Sequence, residues 1–115
     1  MKIGFQNHLK FEKIDDDNYK LLSDLTFITK NNKSITVPSG FITNMASCKI
    51  GNFALRGSTE SPSVLHDYLY EGHVTRKRAD ALFYEALRDE KVNPIKARIY
   101  WFFVRVFGGK HYGKN

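Results

Sequence analysis

The segment Val64-Leu65-His66-Asp67-Tyr68-Leu69-Tyr70 sets an imidazole, a carboxylate and a phenol within five residues, His66 to Tyr70. On a helix, His66 and Tyr70 are four apart and lie one above the other, with Asp67 on the flank. Val64, Leu65, Tyr68 and Leu69 then form a separate apolar face. A second carboxylate arrives by arithmetic: His66 is seven residues before His73, and Asp80 is seven after it. In an antiparallel helical hairpin turning near His73, His66 and Asp80 fall at the same level. Asp80 lies about 90° from its own helix's apolar stripe, at 3.6 residues per turn. A histidine held by a carboxylate is a general-base arrangement, because the acid fixes the ring tautomer and stabilises the imidazolium as the proton arrives. His66, Asp80 and Tyr70 are therefore the catalytic candidates. Asp67 is left as the candidate ligand for a divalent cation such as Ca²⁺. Such an ion takes about six to eight oxygens, so the irregular loop upstream would have to supply more. Its candidates are Asn44, Thr43 and Ser47. The same side chains also suit a structural role, a buried polar brace between two helices with the tyrosines as amphipathic wall.

The elements that would position these groups are legible in outline. Leu9 to Ile14 alternates with period two, and Asp15-Asp16-Asp17-Asn18 is a turn with side chains suited to local backbone bonding. Tyr19 to Lys30 reads as a second strand, Asn31-Asn32-Lys33 as a turn, and Ser34 to Val37 as a β-branched strand stopped by Pro38. Residues 38–60 have no clear period, a length of connection that is often functional. A short strand at Phe41-Ile42 with a weakly signalled helical turn is the plainer alternative. Ser61-Pro62 opens a helix running to about Tyr70, with Gly72 ending it. Thr75 caps the next, whose stripe is Ala79, Leu82, Phe83, Ala86 and Leu87. Asn93-Pro94 opens a third to about Phe107, with Ile95, Ile99, Phe102, Phe103 and Val106 as its expected core stripe. Arg98, Trp101 and Arg105 lie on the other side of that helix, and the tail from Gly109 is expected to be loose.

The expected fold is α+β: a small antiparallel β-meander followed by a three-helix C-terminal part. The chain of 115 residues reads as one domain, β-rich over 1–42, irregular over 43–60, helical over 61–108 and a tail over 109–115. Its longest unbroken apolar run is the six residues Ile99 to Val104, too short to span a bilayer. The first ten residues have no signal-peptide apolar region, and the single Cys48 excludes an internal disulfide framework. The net charge is +6, with the excess C-terminal to Glu71. Basic surfaces attract phosphates, whether of nucleic acid or lipid headgroups. No specific nucleic-acid motif is present. The third helix, with Arg98, Trp101, Arg105, Lys96 and Lys110, can rest on an anionic lipid surface or can be a core helix whose arginine stems snorkel outward. His8 falls on a strand, where it does not suit a helical phosphohydrolase motif.

Two likenesses are carried by these residues. Val37 to Ser47, then Val64 to Tyr70, then Thr75-Arg76 and Ala79-Asp80-Ala81-Leu82-Phe83, resemble a small phage and prophage family, domain of unknown function thirteen-fifty-three. The likeness covers most of residues 35–108 and implies a phage setting, in the host cytoplasm or the virion, with other phage proteins or a host factor as partners. The family's usual aspartate is Asn44 here. At motif level, His66-Asp67-x-x-Tyr70 followed by a helix bearing Asp80 and Phe83 is similar to phospholipase A-two of the parvoviral type. That likeness implies that His66 activates the attacking water, Asp67 ligates Ca²⁺, and Tyr70 and Asp80 orient His66. No glycine-rich calcium loop accompanies the motif, Gly40 being the one glycine in residues 38–47. The two functions expected are a small metal-assisted ester or phosphodiester hydrolase, and a non-enzymatic virion component or host-factor binder in which the cluster is structural.

Overall fold

The computed structural model describes residues 2–45 and 59–113. The fold is α+β. Six short strands, β1 (Gly4–Phe5), β2 (Phe11–Lys13), β3 (Tyr19–Leu21), β4 (Leu25–Ile28), β5 (Ser34–Val37) and β6 (Ile42–Thr43), precede three helices. These are α1 (Glu60–Leu69), α2 (Arg76–Asp89) and α3 (Pro94–Phe107), followed by a 3₁₀ turn at Gly108–His111.

The strands form two three-stranded antiparallel sheets, β1-β4-β5 and β2-β3-β6, where a single meander is expected from sequence. The difference arises within Tyr19–Lys30, which is two strands in different sheets. Residues 22–24 break it, and their polar groups are held by long-range partners. The Asp24 carbonyl accepts from Asn7 Nδ2 at 2.6 Å, and its carboxylate accepts from the Ser39 N–H at 2.7 Å. Asn7 Oδ1 in turn accepts from the Thr26 N–H at 3.1 Å. The expected turns are present. Asp15 Oδ1 accepts from the N–H groups of Asp17 and Asn18, both at 2.9 Å, closing the β2–β3 hairpin. Thr29 Oγ1 does the same for Asn31 and Lys33, with Asn32 at φ 64°. The short strand expected at Phe41-Ile42 is β6, one residue further on.

The helix boundaries follow from their caps. Thr75 Oγ1 accepts from the Arg78 N–H and Asn93 Oδ1 from the Ile95 N–H, as expected. The first helix begins earlier than Ser61-Pro62 suggests, with Thr59 at the N-cap and Pro62 inside the first turn. Proline is tolerated there because the first N–H groups have no intrahelical acceptor in any case. Gly72, at φ 100°, follows the end of α1. Gly4 needs its freedom for two reasons: its φ is 111°, and a Cβ would overlap the Asp89 carboxylate, which accepts from the Phe5 N–H.

α2 is the middle helix. Leu65, Leu69, Ala79, Leu82 and Ala86 join α1 and α2 to Leu21, Leu25, Phe27 and Val37 of the sheets. Phe83, Leu87, Ala97, Tyr100 and Val104 form a second cluster between α2 and α3. This second cluster corrects the reading of α3. The stripe expected in the core faces outward: Ile95 is 71% exposed, Phe102 55% and Val106 53%. α3 is apolar on two faces, and Ala97 and Val104 are the smaller residues that let the helix backbone approach α2. As far as Gly113 the tail is also not loose. Tyr112 packs edge-on against Tyr70 and donates its hydroxyl hydrogen to the Val74 carbonyl, and the Gly113 N–H reaches the Tyr70 carbonyl at 2.6 Å. An aromatic ring with a half-buried acceptor anchors a segment whose polar, glycine-rich sequence reads as coil.

Candidate functional site

The helical hairpin brings the expected groups together. His66 and Tyr70 leave α1 one turn apart, and Asp80 meets both from α2. His66 Nε2 lies 2.7 Å from Asp80 Oδ1, and the Tyr70 hydroxyl donates to the same oxygen at 2.6 Å. The other oxygen, Oδ2, accepts from Arg105 Nη1 of α3 at 2.8 Å, and Arg76 Nε stands 3.9 Å away. Three helices thus converge on one carboxylate. The acid, imidazole and phenol are buried, Asp80 being 0% exposed, His66 3% and Tyr70 4%, while Arg76 and Arg105 are half-buried.

The electrostatics follow from that geometry. Burial pushes the Asp80 acid up, but hydrogen bonds from His66, Tyr70 and Arg105 outweigh it and hold the group below its ordinary value. Asp80 is therefore ionised and accepts only, which places the Nε2 proton on His66. The Tyr70 phenol is pushed up by burial and by the neighbouring Asp80 charge, so it stays protonated and donates. The imidazole is clamped between Tyr70 (centroids 4.1 Å) and Phe83 (4.6 Å). Its orientation is fixed by rings as well as by the acid. Its Nε2 is committed to Asp80.

Asp67 stands apart from this network. It is half-buried, and burial raises its acid above the ordinary value, against the lowering effect of hydrogen bonds from the Thr43 hydroxyl and the Asn44 main-chain N–H. The structure so brings Thr43 and Asn44 to Asp67, as a clasp between the end of β6 and α1. Thr43 is buried and Asn44 exposed. Ser47 and Cys48 lie outside the described residues. Among the described residues no three His, Cys, Asp or Glu side chains converge as a metal set. At Asp67 one carboxylate meets two hydrogen-bond donors, whereas a hard cation needs several oxygens. The other oxygens that the sequence assigns to such a site, Ser47 among them, lie outside the described residues.

Four contributors escape the sequence reading. Arg105 supplies charge to Asp80 from α3. Arg76 donates to the Tyr70 hydroxyl at 3.3 Å and, through Nη2, to the Val104 carbonyl at 2.9 Å and the Arg105 carbonyl. It is four residues before Asp80, a spacing that pairs charges on a helix and was a usable signal. Tyr112 closes the far side of Tyr70. Gly108 leaves room: a Cβ there would sit 2.7 Å from the Tyr70 hydroxyl oxygen. Gly108→Ala is expected to displace that hydroxyl and lower stability by about 1–3 kcal/mol, the usual range for overpacking, read as a drop in melting temperature. Ser63 provides the opposite test. Its Oγ is buried without a hydrogen-bond partner among the described residues, so Ser63→Ala loses nothing there, gains helix propensity and is expected to raise stability by about 0.5–1 kcal/mol in a denaturant titration.

An α+β chain with a carboxylate-held histidine on a helical hairpin defines the class. The chain belongs to the family described as "Protein of unknown function (DUF1353)", which matches residues 19–104. No curated protein and no solved structure matches it. Among the described residues no helix is long and apolar enough to cross a membrane.

Proposed function

We propose that this protein is a small hydrolase of esters or phosphodiesters with His66 as its general base. The observation that carries the reading is the 2.7 Å contact from His66 Nε2 to an ionised, fully buried Asp80 that Tyr70 also engages. A general base gains from an acid partner that fixes its tautomer and stabilises its protonated form. In the reaction, the His66 imidazole takes a proton from water as the oxygen attacks the carbonyl carbon or the phosphorus. Asp80 holds the resulting imidazolium, which then returns the proton to the leaving oxygen. Tyr70 and Arg105 position Asp80 and touch no reacting atom. The likeness of His66-Asp67-x-x-Tyr70 and Asp80 to phospholipase A-two supports the same assignment of base and orienting groups. A phage setting, in the host cytoplasm or the virion, is the biological context in which this reading sits.

One observation favours a second reading. His66, Tyr70 and Asp80 are buried and bonded to one another, as a brace would be. On that reading the protein is a non-enzymatic phage component or host-factor binder, and the cluster only joins α1, α2 and α3. A screen of the purified chain against ester and phosphodiester substrates, with and without added divalent cation, separates the two. The hydrolase reading expects turnover that His66→Ala removes from a folded protein. Absence of turnover across the screen, with a large loss of melting temperature in His66→Ala, would favour the brace.

A further inference from the structure

The outer side of α2 and α3 carries two adjoining features that the His66 site does not use. The first is the outward stripe of α3. Ile95, Phe102 and Val106 are more than half exposed, with Ile99 and Phe103 half-buried beside them. At 100° per residue, Ile95, Ile99, Phe102 and Val106 fall within about 60° of one another, one apolar line along a helix roughly 21 Å long. The second is a cleft of about 490 Å³ between α2, α3 and the β4–β5 turn. Lys30, Arg78, Arg88 and Arg98 line it, with Tyr84 and Trp101. Its one acid, Glu85, accepts from the Lys30 main-chain N–H at 2.7 Å. Arg98 and Tyr84 also border the apolar groove formed with Ile95, Ile99 and Phe102, so cationic cleft and apolar stripe are contiguous.

We propose that this α2–α3 face docks on an anionic lipid bilayer, with headgroup phosphates in the Lys30–Arg78–Arg98 cleft and the α3 stripe at the headgroup–acyl boundary. Charge complementarity selects this occupant. α3 contains Lys96, Arg98 and Arg105 and no acid. A second copy meeting this face across a two-fold axis would set cations against cations, which disfavours self-association. An anionic leaflet offers phosphates to the cleft and hydrocarbon to the stripe together. Arg105 is excluded from the lipid-facing set, because it is held by Asp80. Trp101 lies in the cleft wall beside the stripe, at the level where an indole favours a bilayer interface.

The inference is independent of the hydrolytic reading, and the test keeps them apart by using ether-linked lipids, which offer no carboxylic ester, and by repeating the binding with His66→Gln, which lacks the base that would act on the headgroup phosphodiester. The full chain is mixed with vesicles of phosphatidylglycerol and phosphatidylcholine, or of phosphatidylcholine alone, and read by co-sedimentation and by emission of Trp101, the single tryptophan. Binding to the anionic vesicles, weakened by salt and accompanied by a blue shift, is expected. Arg98→Glu and Phe102→Asp should each weaken it at least tenfold with melting temperatures unchanged, since both side chains are exposed. Ile95→Asp, at the most exposed position of the stripe, serves if Phe102→Asp does not fold. No binding, equal binding to neutral vesicles, or undiminished binding by the folded variants would overturn the proposal. So would a concentration-dependent dimer that Phe102→Asp abolishes.

Discussion

Asp80→Ala is expected to lower stability by about 3–5 kcal/mol, the range for removing one partner of a buried ionic network. The size follows from what is stranded. His66, Tyr70 and Arg105 each donate to this carboxylate, and without it two of those donors are left buried with no acceptor. Asp80→Asn keeps the volume and one acceptor oxygen but turns an amide N–H₂ toward a donor, so it should fall between wild type and alanine. The pH dependence has a definite sign. The folded acid is held below its ordinary value, so its contribution is complete above the ordinary carboxylate range and is lost as pH falls through the lowered value. Denaturant titrations of wild type and Asp80→Asn should therefore differ most near neutral pH and converge in acid. A gap that stays constant down to strong acid would show that Asp80 is not a depressed carboxylate.

What the sequence made legible was local. His66 and Tyr70 are one turn apart, and Asp80 is reached through a short hairpin whose midpoint can be counted, so the core of the site followed from spacing alone. Arg105 did not, because it lies 25 residues from Asp80 and its approach depends on the rotation of α3. That rotation differs from the one the apolar stripe predicts, for a physical reason. Hydrophobic periodicity ranks faces by the size of their apolar residues, and the Ile95–Phe102–Val106 line outscores the Ala97–Tyr100–Val104 line that packs. Close helix approach favours the small residue, which a hydrophobicity count undervalues. The sheets show the same limit. β2, β5 and the tight turns at Asp15 and Thr29 were readable because their bonds are local, whereas β1, which pairs Gly4 with Ile28, was not. The switch between sheets at residues 22–24 rests on Asn7 and Ser39, partners 15 to 17 residues from Asp24.

His66 carries the second large effect. A positioned general base contributes about 10²–10⁴-fold, so removing it should cost at least 100-fold in turnover. Alanine is a poor probe by itself, since it removes one of the two donors to Asp80 Oδ1 and opens a gap between Tyr70 and Phe83. Glutamine is the informative replacement: its amide N–H₂ can still donate to Asp80, while nothing in it can take a proton at neutral pH. The most direct measurement is therefore turnover and melting temperature of His66→Gln beside wild type, on whichever ester or phosphodiester the wild type cleaves. A hydrolase built on this imidazole should lose at least 100-fold in turnover with its melting temperature nearly retained. Turnover in the folded variant equal to that of the wild type, or a wild type that cleaves nothing, would contradict the assignment.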